Sequence, residues 1–360
     1  MFVFSMPDND QYIGGIATVI NNYMHNKELF AEKGYSISLF DYKDSHCSTI
    51  AVGSIRKIVY GIKQAKAIKK RINSEKVDIV HIHTSRNSLF VKDVLVGAYL
   101  SNKSNSKICL TIHVGDSTTV FEKVPSNLKK KTIALLNKYF FKVFFLTKEI
   151  MNQFVENNLQ VDKACVLYNT CDITYDEETS EANNEKLKVL FVGMINRDKG
   201  ILELLDAISD KRISERIECH ICGEITDNSI VAEFEQKYES VKGIVSLHGY
   251  VNGVEKDRLF SSCDVLVLPS YHEGFPLVIL EALFCGCAII ATRVGAIPEI
   301  LDDDNCLFVE VRNPQSIETA LLAYLNDRER LVRTKKNNLE LSSRFTLRHH
   351  IGLLCDLYEE

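Results

Sequence analysis

Residues 264–292 read DVLVLPSYHEGFPLVILEALFCGCAIIAT, which is the pattern of a strand, a helix and a second strand. DVLVLPS is a short apolar run of the kind that forms a buried strand. Pro276 suits the first position of a helix and Gly286 suits the position after its end, so we predict a helix over residues 276–285. AIIAT, residues 288–292, predicts the next strand. Strands that alternate with helices indicate a parallel sheet covered by helices on both faces.

Glu281 is the one charged residue in this predicted helix. The other residues are apolar on every side, which indicates a buried helix. A buried carboxylate is costly unless it is paired, and two kinds of partner fit. One is a lysine, an arginine or a backbone N–H of the protein, and the other is a ligand with two neighbouring hydroxyl groups, such as a ribose. Glu273 stands in the loop before the helix.

The same alternation extends along the chain. Helical patterns cover residues 16–30 and 55–72, among others, and the second half repeats the plan of the first. Strand patterns cover 35–40, 77–83, 107–113, 142–147 and 163–169, then 188–193, 217–223, 244–251, 264–270, 288–292 and 306–311. We therefore predict an α/β fold with two doubly wound, Rossmann-like domains, whose ligands bind at the carboxyl ends of the strands.

Charge and composition place a boundary between the two halves. Residues 172–186, DITYDEETSEANNEK, are polar and acidic, as a linker is. The net charge is +9 over residues 1–171 and −14 over residues 172–360, which suggests two domains with different neighbours.

Membrane spans, secretion and metal binding find little support in the sequence. No apolar run approaches the ~20 residues of a spanning helix, and the start of the chain lacks the basic region of a signal peptide. The 11 cysteines lack even spacing, so we expect buried free thiols in a reducing, cytoplasmic compartment. Cys219 and Cys222 have redox or metal spacing, but they lie in a strand pattern without a second pair, which favours a place in the core.

Several loops after predicted strands carry polar or flexible residues. Gly14 and Gly15 precede a helix and would let its amino end approach an anion, although such a pair is more often a simple turn. The pair does not have the G-x-G-x-x-G pattern of a dinucleotide site. Arg197 and Lys199 follow the strand at 188–193, where they suit a phosphate or form a solvated turn.

Two histidines end neighbouring strand patterns. His83 and His113 therefore lie near the same sheet edge, where each can hydrogen-bond a sugar hydroxyl or a phosphate. No carboxylate spacing supports a metal site there. Further along, Gly295 permits a tight loop, and Glu299 suits the start of a helix.

The segment 272–301, HEGFPLVILEALFCGCAIIATRVGAIPEIL, resembles the donor-binding signature of retaining glycosyltransferases of the GT-B fold, family 4. That signature is E-x7-E, a glycine, a strand and then G-x-P-E, and Glu273 and Glu281 have the required spacing. Weaker similarity covers IGGIATVINNY (13–23), DIVHIH (78–83), LTIH (110–113), VLYNTCD (166–172), VNGVEKDRLFSSCDVLVLPS (251–270) and FTLRHHIGLLCDLYEE (345–360). The resemblance thus extends over nearly the whole chain.

The resemblance implies two Rossmann-like domains that face each other across a cleft. Residues 1–172, completed by a closing helix at 345–360, would form the acceptor-side domain, 173–186 the linker, and 187–344 the domain that binds the nucleotide-sugar donor. A sugar would pass from a UDP or GDP sugar to a hydroxyl of a saccharide or lipid-linked saccharide, with retention. Cell-surface polysaccharide or glycolipid synthesis is the expected setting. No metal or other cofactor is expected, because cationic side chains and helix dipoles neutralise the diphosphate.

The resemblance also implies roles for single residues. In the catalytic group, Glu273 would contact donor-sugar hydroxyls, Lys199 would neutralise the leaving diphosphate, and His113 would contact the sugar near the reacting carbon. Glu281 would hold the ribose. Gly14 and Gly15 would approach the diphosphate, and so would the helix start formed by Gly274, Phe275, Pro276 and Leu277, in which Pro276 has no N–H to donate.

The sequence departs from the family pattern at Met194, which stands where an arginine usually follows the glycine after the strand. Arg197 would replace that charge, or the diphosphate would be held less tightly. Tyr168, Asn169 and Thr170 also stand where the family has P-N-G. Two alternatives therefore stay open: another GT-B enzyme, such as a nucleotide-sugar epimerase, and a non-catalytic subunit that binds nucleotide sugar.

A basic segment in the first half suggests a further partner. Residues 55–76 contain eight Lys or Arg and one acid, with apolar residues at helical spacing, and residues 128–145 add a second basic, aromatic stretch. Such a helix can lie on an anionic membrane surface, here the inner face of the cell membrane, or it can pack its apolar stripe on the sheet. No motif for nucleic acid accompanies the charge, so nucleic acid is not an expected partner.

Overall fold

A computed structural model describes residues 2–4, 15–40, 55–114, 120–171 and 186–360. The chain divides into two compact units, Met1–Thr170 with Leu347–Glu360 and Cys171–Thr346. The sequence boundaries at 172 and 345 lie two residues from these. The predicted linker, except for Lys186, lies outside the described residues, as does Gly14.

The first unit contains a six-stranded parallel sheet in the order β2-β1-β3-β4-β5-β6. Its strands are β1 (Phe2–Phe4), β2 (Ser38–Phe40), β3 (Ile79–Thr84), β4 (Lys107–Ile112), β5 (Lys142–Phe145) and β6 (Ala164–Val166). Its helices are α1 (Gly15–His25), α2 (Lys27–Glu32), α3 (Ile55–Glu75), α4 (Ser88–Ser101), α5 (Ser126–Tyr139) and α6 (Lys148–Glu156).

Side chains that alternate along β4 and β5 build a core on each face of this sheet. Leu110 and Val143 pack with residues of α3, α4, α5 and α6 on one face, whereas Cys109 and Phe144 pack with residues of α1 and α2 on the other. Successive side chains of a strand point to opposite faces, so an apolar run in a parallel strand serves both cores. The helix at the end of the chain, Leu347–Glu359, completes the second core.

The second unit contains another six-stranded parallel sheet, in the order β12-β11-β10-β7-β8-β9. Its strands are β7 (Leu187–Val192), β8 (Ile217–Cys222), β9 (Val245–Gly249), β10 (Val265–Leu268), β11 (Ala288–Thr292) and β12 (Cys306–Val309). Its helices are α7 (Ile201–Ile208), α8 (Lys211–Ser214), α9 (Val231–Val241), α10 (Gly253–Ser262), α11 (Leu277–Phe284), α12 (Ile297–Ile300), α13 (Pro314–Asn326) and α14 (Arg328–Ser342), and the closing helix of the chain is α15.

Each predicted strand corresponds to a strand of the structure, but three details differ. The prediction omitted β1, which has only three residues. The helix predicted over 16–30 is two helices, α1 and α2, divided at Asn26. Pro276 precedes α11 as its N-cap with φ −72° and ψ 109°, instead of occupying the first helical position, because its backbone is extended.

Candidate active site

The neighbours of β7 mark the switch point of the second sheet. The chain crosses from β7 to β8 on one side, whereas β10 pairs with β7 on the other. Crevices form outside the carboxyl ends of strands at such a point, and ligands bind there. The loop after β7 carries Arg197 and Lys199, and the loop after β10 carries Glu273. The sheet order thus brings together residues that are 74 positions apart in the chain.

Lys199 and Glu273 form an ion pair at this switch point. The distance from Lys199 Nζ to Glu273 Oε1 is 2.7 Å, and Ser270 Oγ donates to the same oxygen at 2.7 Å. The Glu273 side chain is 7% exposed, so the pair is largely shielded from water. A short turn, Arg197–Lys199, places the lysine, and the Asn196 side chain accepts from the Lys199 N–H at 3.1 Å.

Two glycines allow the loops to approach this closely. A Cβ added at Gly295 would lie 2.2 Å from the carbonyl oxygen of Glu273, and one at Gly200 would lie 2.1 Å from the carbonyl oxygen of Pro269. Both glycines have positive φ, +55° and +67°, where other residues are strained. The Ala296 N–H donates to the Gly274 carbonyl at 2.8 Å, which ties the Glu273 loop to the next loop.

Glu281 lies on α11 and is 7% exposed. Its Oε1 accepts from Lys256 Nζ at 2.6 Å, and its Oε2 is buried without a hydrogen-bond partner among the described residues. Burial opposes the charge of Lys256, but attraction by Glu281 and the hydrogen bond between them outweigh it and raise the pKa of Lys256. Among the described residues, the carboxylate thus has a partner for one oxygen only.

The segment Gly274, Phe275, Pro276 and Leu277 connects Glu273 to α11 and contains no exposed residue. α11 therefore begins four residues after Glu273 along the chain. A helix amino end favours anions. That this segment binds a diphosphate stays a prediction.

Arg197 has a partner away from this pair. Its Nη2 lies 2.7 Å from Glu233 Oε2, and both side chains are largely exposed. Met194 is 52% exposed. An exposed ion pair contributes little, about 0–1 kcal/mol, so a bound anion can compete for this arginine. Arg197 as a donor ligand therefore stays a prediction.

His83 and His113 meet at the carboxyl ends of β3 and β4 in the first unit. His83 Nδ1 lies 2.7 Å from His113 Nε2, and His83 Nε2 is buried without a hydrogen-bond partner among the described residues. Next to them, His81 Nδ1 lies 2.6 Å from the Tyr358 hydroxyl and its Nε2 lies 2.6 Å from Thr111 Oγ1. Burial lowers the pKa of His81 and of His113 to about 3, so both imidazoles are neutral.

The orphan nitrogen of His83 selects a tautomer for the pair. A buried N–H without an acceptor is costlier than a bare lone pair, so His83 carries its proton on Nδ1 and donates it to His113 Nε2. His113 then carries its own proton on Nδ1. It therefore offers an N–H donor, as a contact with a sugar oxygen requires.

Gly15 begins α1 in the same unit.

The sequence did not identify Ser270 and Lys256. Ser270 ends the predicted strand three residues before Glu273, so its position was a usable signal. Lys256 lies 25 residues before Glu281, on another helix, and no local pattern relates the two.

The basic helix α3 packs its apolar stripe on the sheet over the part whose side chains are described. Ala65, Ile68 and Ile72 belong to a buried cluster, whereas Lys66 and Lys70 are exposed. This part of the stripe is therefore not available to a bilayer, and a membrane contact by these residues would depend on charge. Within the described ranges, no helix combines the length and apolar character that crossing a membrane requires.

The described cysteines are free thiols, and all except Cys165 are buried. Burial raises the pKa of Cys222 to about 12 and that of Cys285 to about 11, so both stay protonated. The core placement predicted for Cys219 and Cys222 is confirmed, since both lie in β8. The parts of the chain that the structure describes contain no group of three or more His, Cys, Asp or Glu side chains arranged for a metal ion.

The second half of the chain is similar to a known protein family. Residues 172–340 match the family model described as glycosyl transferases group 1. An uncharacterized glycosyltransferase of Methanocaldococcus jannaschii is 27% identical, and the match covers 97% of this chain and 95% of that protein. An uncharacterized 41.2 kDa protein in the cps region of Klebsiella pneumoniae is 28% identical over 81% of each chain.

Solved structures agree with the fold. The Anabaena protein HepE, crystallised in complex with UDP, has a TM-score of 0.75 at 16% sequence identity, covering 99% of each chain. This likeness concerns the fold. The predicted α/β class, with two Rossmann-like units of the GT-B type, is confirmed.

Proposed function

We propose that the protein moves a sugar from a nucleotide diphosphate sugar to a hydroxyl group of an acceptor, because residues 172–340 match the family model of glycosyl transferases group 1. The reaction proceeds with retention at the anomeric carbon, as in family 4. The acceptor is a saccharide or a lipid-linked saccharide. The place of the Klebsiella relative in a cps region supports a role in surface polysaccharide synthesis.

The Lys199–Glu273 pair is the observation on which this proposal depends. It combines a cation with a carboxylate at the switch point of a parallel sheet, and a buried helix begins four residues after the carboxylate along the chain. A diphosphate needs the cation and the helix end, whereas sugar hydroxyls need a carboxylate acceptor. The UDP complex of the Anabaena structure supports a uridine nucleotide as the first donor to test.

Only a few groups take part in the proposed reaction. The acceptor oxygen forms a bond to the anomeric carbon while the bond from that carbon to the diphosphate oxygen breaks. The acceptor proton passes to the leaving diphosphate. Lys199 stabilises the charge that develops on the diphosphate, and Glu273 accepts hydrogen bonds from the donor sugar.

The test begins with binding, because a ligand of the native state must raise its stability. UDP, GDP, ADP and their sugars are screened by thermal shift. The nucleotide sugar that stabilises the protein is then incubated with and without saccharide acceptors, and nucleotide release is measured. We expect Glu273→Gln to lower the rate about 10²- to 10³-fold, whereas Glu239→Gln, at an exposed pair with Lys242, leaves it unchanged.

Several results would contradict the proposal. Wild-type turnover in Glu273→Gln would exclude the assigned role of Glu273. A product whose anomeric carbon has the configuration opposite to that of the donor, as measured by NMR of the anomeric proton, would exclude retention. Donor consumption that yields an epimer without acceptor would instead favour an epimerase. Binding without any turnover would favour the non-catalytic subunit, for which the exposed Met194 is the supporting feature.

A further inference from the structure

Lys256 lies in the first turn of α10 and touches the carboxylate of Glu281 on α11, at 2.6 Å. We propose that Lys256 is a positioning residue, which holds one oxygen of Glu281 and thereby orients the second oxygen to accept from the ribose of the donor nucleotide. This inference rests on the proposed function, because it assumes a nucleotide at this site. It adds a lysine that the family signature in the sequence does not contain.

The surroundings of Glu281 make such a lysine necessary. α11 is apolar apart from this residue, and none of its residues is exposed. A buried carboxylate without a cation or a hydrogen-bond donor is costly. The ammonium group of Lys256 counters this by a charge-assisted hydrogen bond.

The contact also orients the carboxylate. Because Lys256 binds Oε1, the Glu281 side chain cannot rotate freely, and Oε2 keeps a fixed place. That oxygen is buried and has no hydrogen-bond partner among the described residues. A buried acceptor without a donor is unfavourable, so a ligand hydroxyl that reaches it gains more than one that only replaces water. One ribose hydroxyl can donate to Oε2, and Oε1 retains a lone pair for the other.

A second buried ion pair in the same unit shows what a purely structural pair looks like. Lys335 Nζ lies 2.9 Å from Asp264 Oδ1, with side-chain burial similar to that of the Lys256 pair. There, the Lys188 N–H donates to the other carboxylate oxygen at 3.1 Å, so the protein satisfies both oxygens. Only the Glu281 carboxylate of these two has an oxygen left over. This difference makes Lys335 the matched control.

The experiment measures how well the protein distinguishes ribose from deoxyribose. Dissociation constants are measured by calorimetry for UDP, GDP and ADP and for their 2′-deoxy forms. For each base, the dissociation constants of the ribose and 2′-deoxy forms are measured on the same protein preparation. The fraction of folded protein therefore cancels in their ratio. We expect the wild type to prefer the ribose form by about 10- to 100-fold, the value of a hydrogen bond to a charged group.

Lys256→Met should reduce this preference to less than about threefold. Lys256→Arg, which keeps the charge, should retain most of it, and Lys335→Met should retain all of it. The nucleoside separates positioning from direct phosphate binding. If Lys256 acts through Glu281, its loss weakens uridine and UDP by the same factor, and if it binds the diphosphate, UDP weakens more.

The outcomes separate the two levels of the proposal. No binding of any nucleotide by the wild type would reject the proposed function together with this inference. A wild type that prefers ribose, with a Lys256→Met variant that keeps the same preference, would reject the inference alone. A larger loss for UDP than for uridine would also overturn it. If Lys256→Met yields no folded protein, Lys256→Gln is measured in the same way, and its retained preference would equally reject the inference.

Discussion

Replacing Gly295 by alanine should disturb the site loop far more than the same change at Gly253. Gly295 has φ +55° and Gly253 has φ +52°, so the left-handed backbone penalises both alanines equally, by about 1–2 kcal/mol. Around Gly253, the added Cβ would meet no atom within 4 Å. Around Gly295, it would lie 2.2 Å from the carbonyl oxygen of Glu273 and 2.7 Å from that of Gly274.

The magnitude follows from the distance that has to open. Real Cβ atoms essentially never approach closer than 3.0 Å, so the 2.2 Å separation must grow by 3.0 − 2.2, about 0.8 Å, at the backbone of Glu273. Such overpacking costs about 1–3 kcal/mol. Gly295→Ala should therefore lower the free energy of unfolding by about 2–5 kcal/mol in total, and Gly253→Ala by about 1–2 kcal/mol.

The shift also affects catalysis, because the moved backbone carries the carboxylate that Lys199 holds. A misplacement of about 1 Å can cost about 100-fold in rate. Urea denaturation and nucleotide release from the donor sugar, each measured for both variants, provide the assay. We expect Gly253→Ala to retain the wild-type rate per folded molecule. Equal losses of stability and rate in the two variants would contradict the predicted clash between residue 295 and the Glu273 backbone.

Three further predictions follow from other parts of the structure. Three histidines have pKa values of about 3 to 4, lowered by desolvation from about 6.5, so the unfolded chain binds more protons and stability falls as the pH drops below 6.5. Between pH 7.5 and 5.5 we expect a loss of up to about 4 kcal/mol by urea denaturation, and constant stability would contradict it. The three are His81, His113 and His350. Met194→Arg should strengthen UDP binding about tenfold by calorimetry, because it adds a guanidinium beside the proposed diphosphate site, and unchanged affinity would contradict that placement. Binding to vesicles that contain anionic lipid should decrease with salt and with reversal of three lysine charges on α3, each worth about 1 kcal/mol. Binding that survives both changes would exclude an electrostatic contact. The three lysines are Lys66, Lys69 and Lys70.

Much of the fold follows from local sequence. Strands and helices have their own hydrophobic periods and end signals, so the apolar runs and the turn residues identified all strands except β1. Their alternation indicates parallel sheets, and the polar stretch after residue 171 separates two of them. The spacing of Glu273 and Glu281 is local as well, because one loop and one helix carry both residues.

Contacts between distant segments required the tertiary structure. Lys256 meets Glu281 because α10 lies beside α11, and Arg197 meets Glu233 because the loop after β7 lies near α9. The sequence left open whether Glu281 pairs with the protein or with a ligand. Among the residues that the structure describes, one oxygen is paired and the other has no partner. Likewise, the sequence allowed the apolar stripe of α3 to contact a membrane or the core. In the structure, Ile68 and Ile72 pack in the core.

Local sequence thus predicts the two α/β halves and the spacing of Glu273 and Glu281, because periodicity, caps and motif spacing act over a few neighbouring residues. Contacts in the folded protein bring together the side chains that complete the candidate active site. Lys199 reaches Glu273 through the pairing of β10 with β7, while Lys256 reaches Glu281 through helix packing. Such partners depend on strand order and on the distances between packed elements, and chain spacing does not encode either quantity.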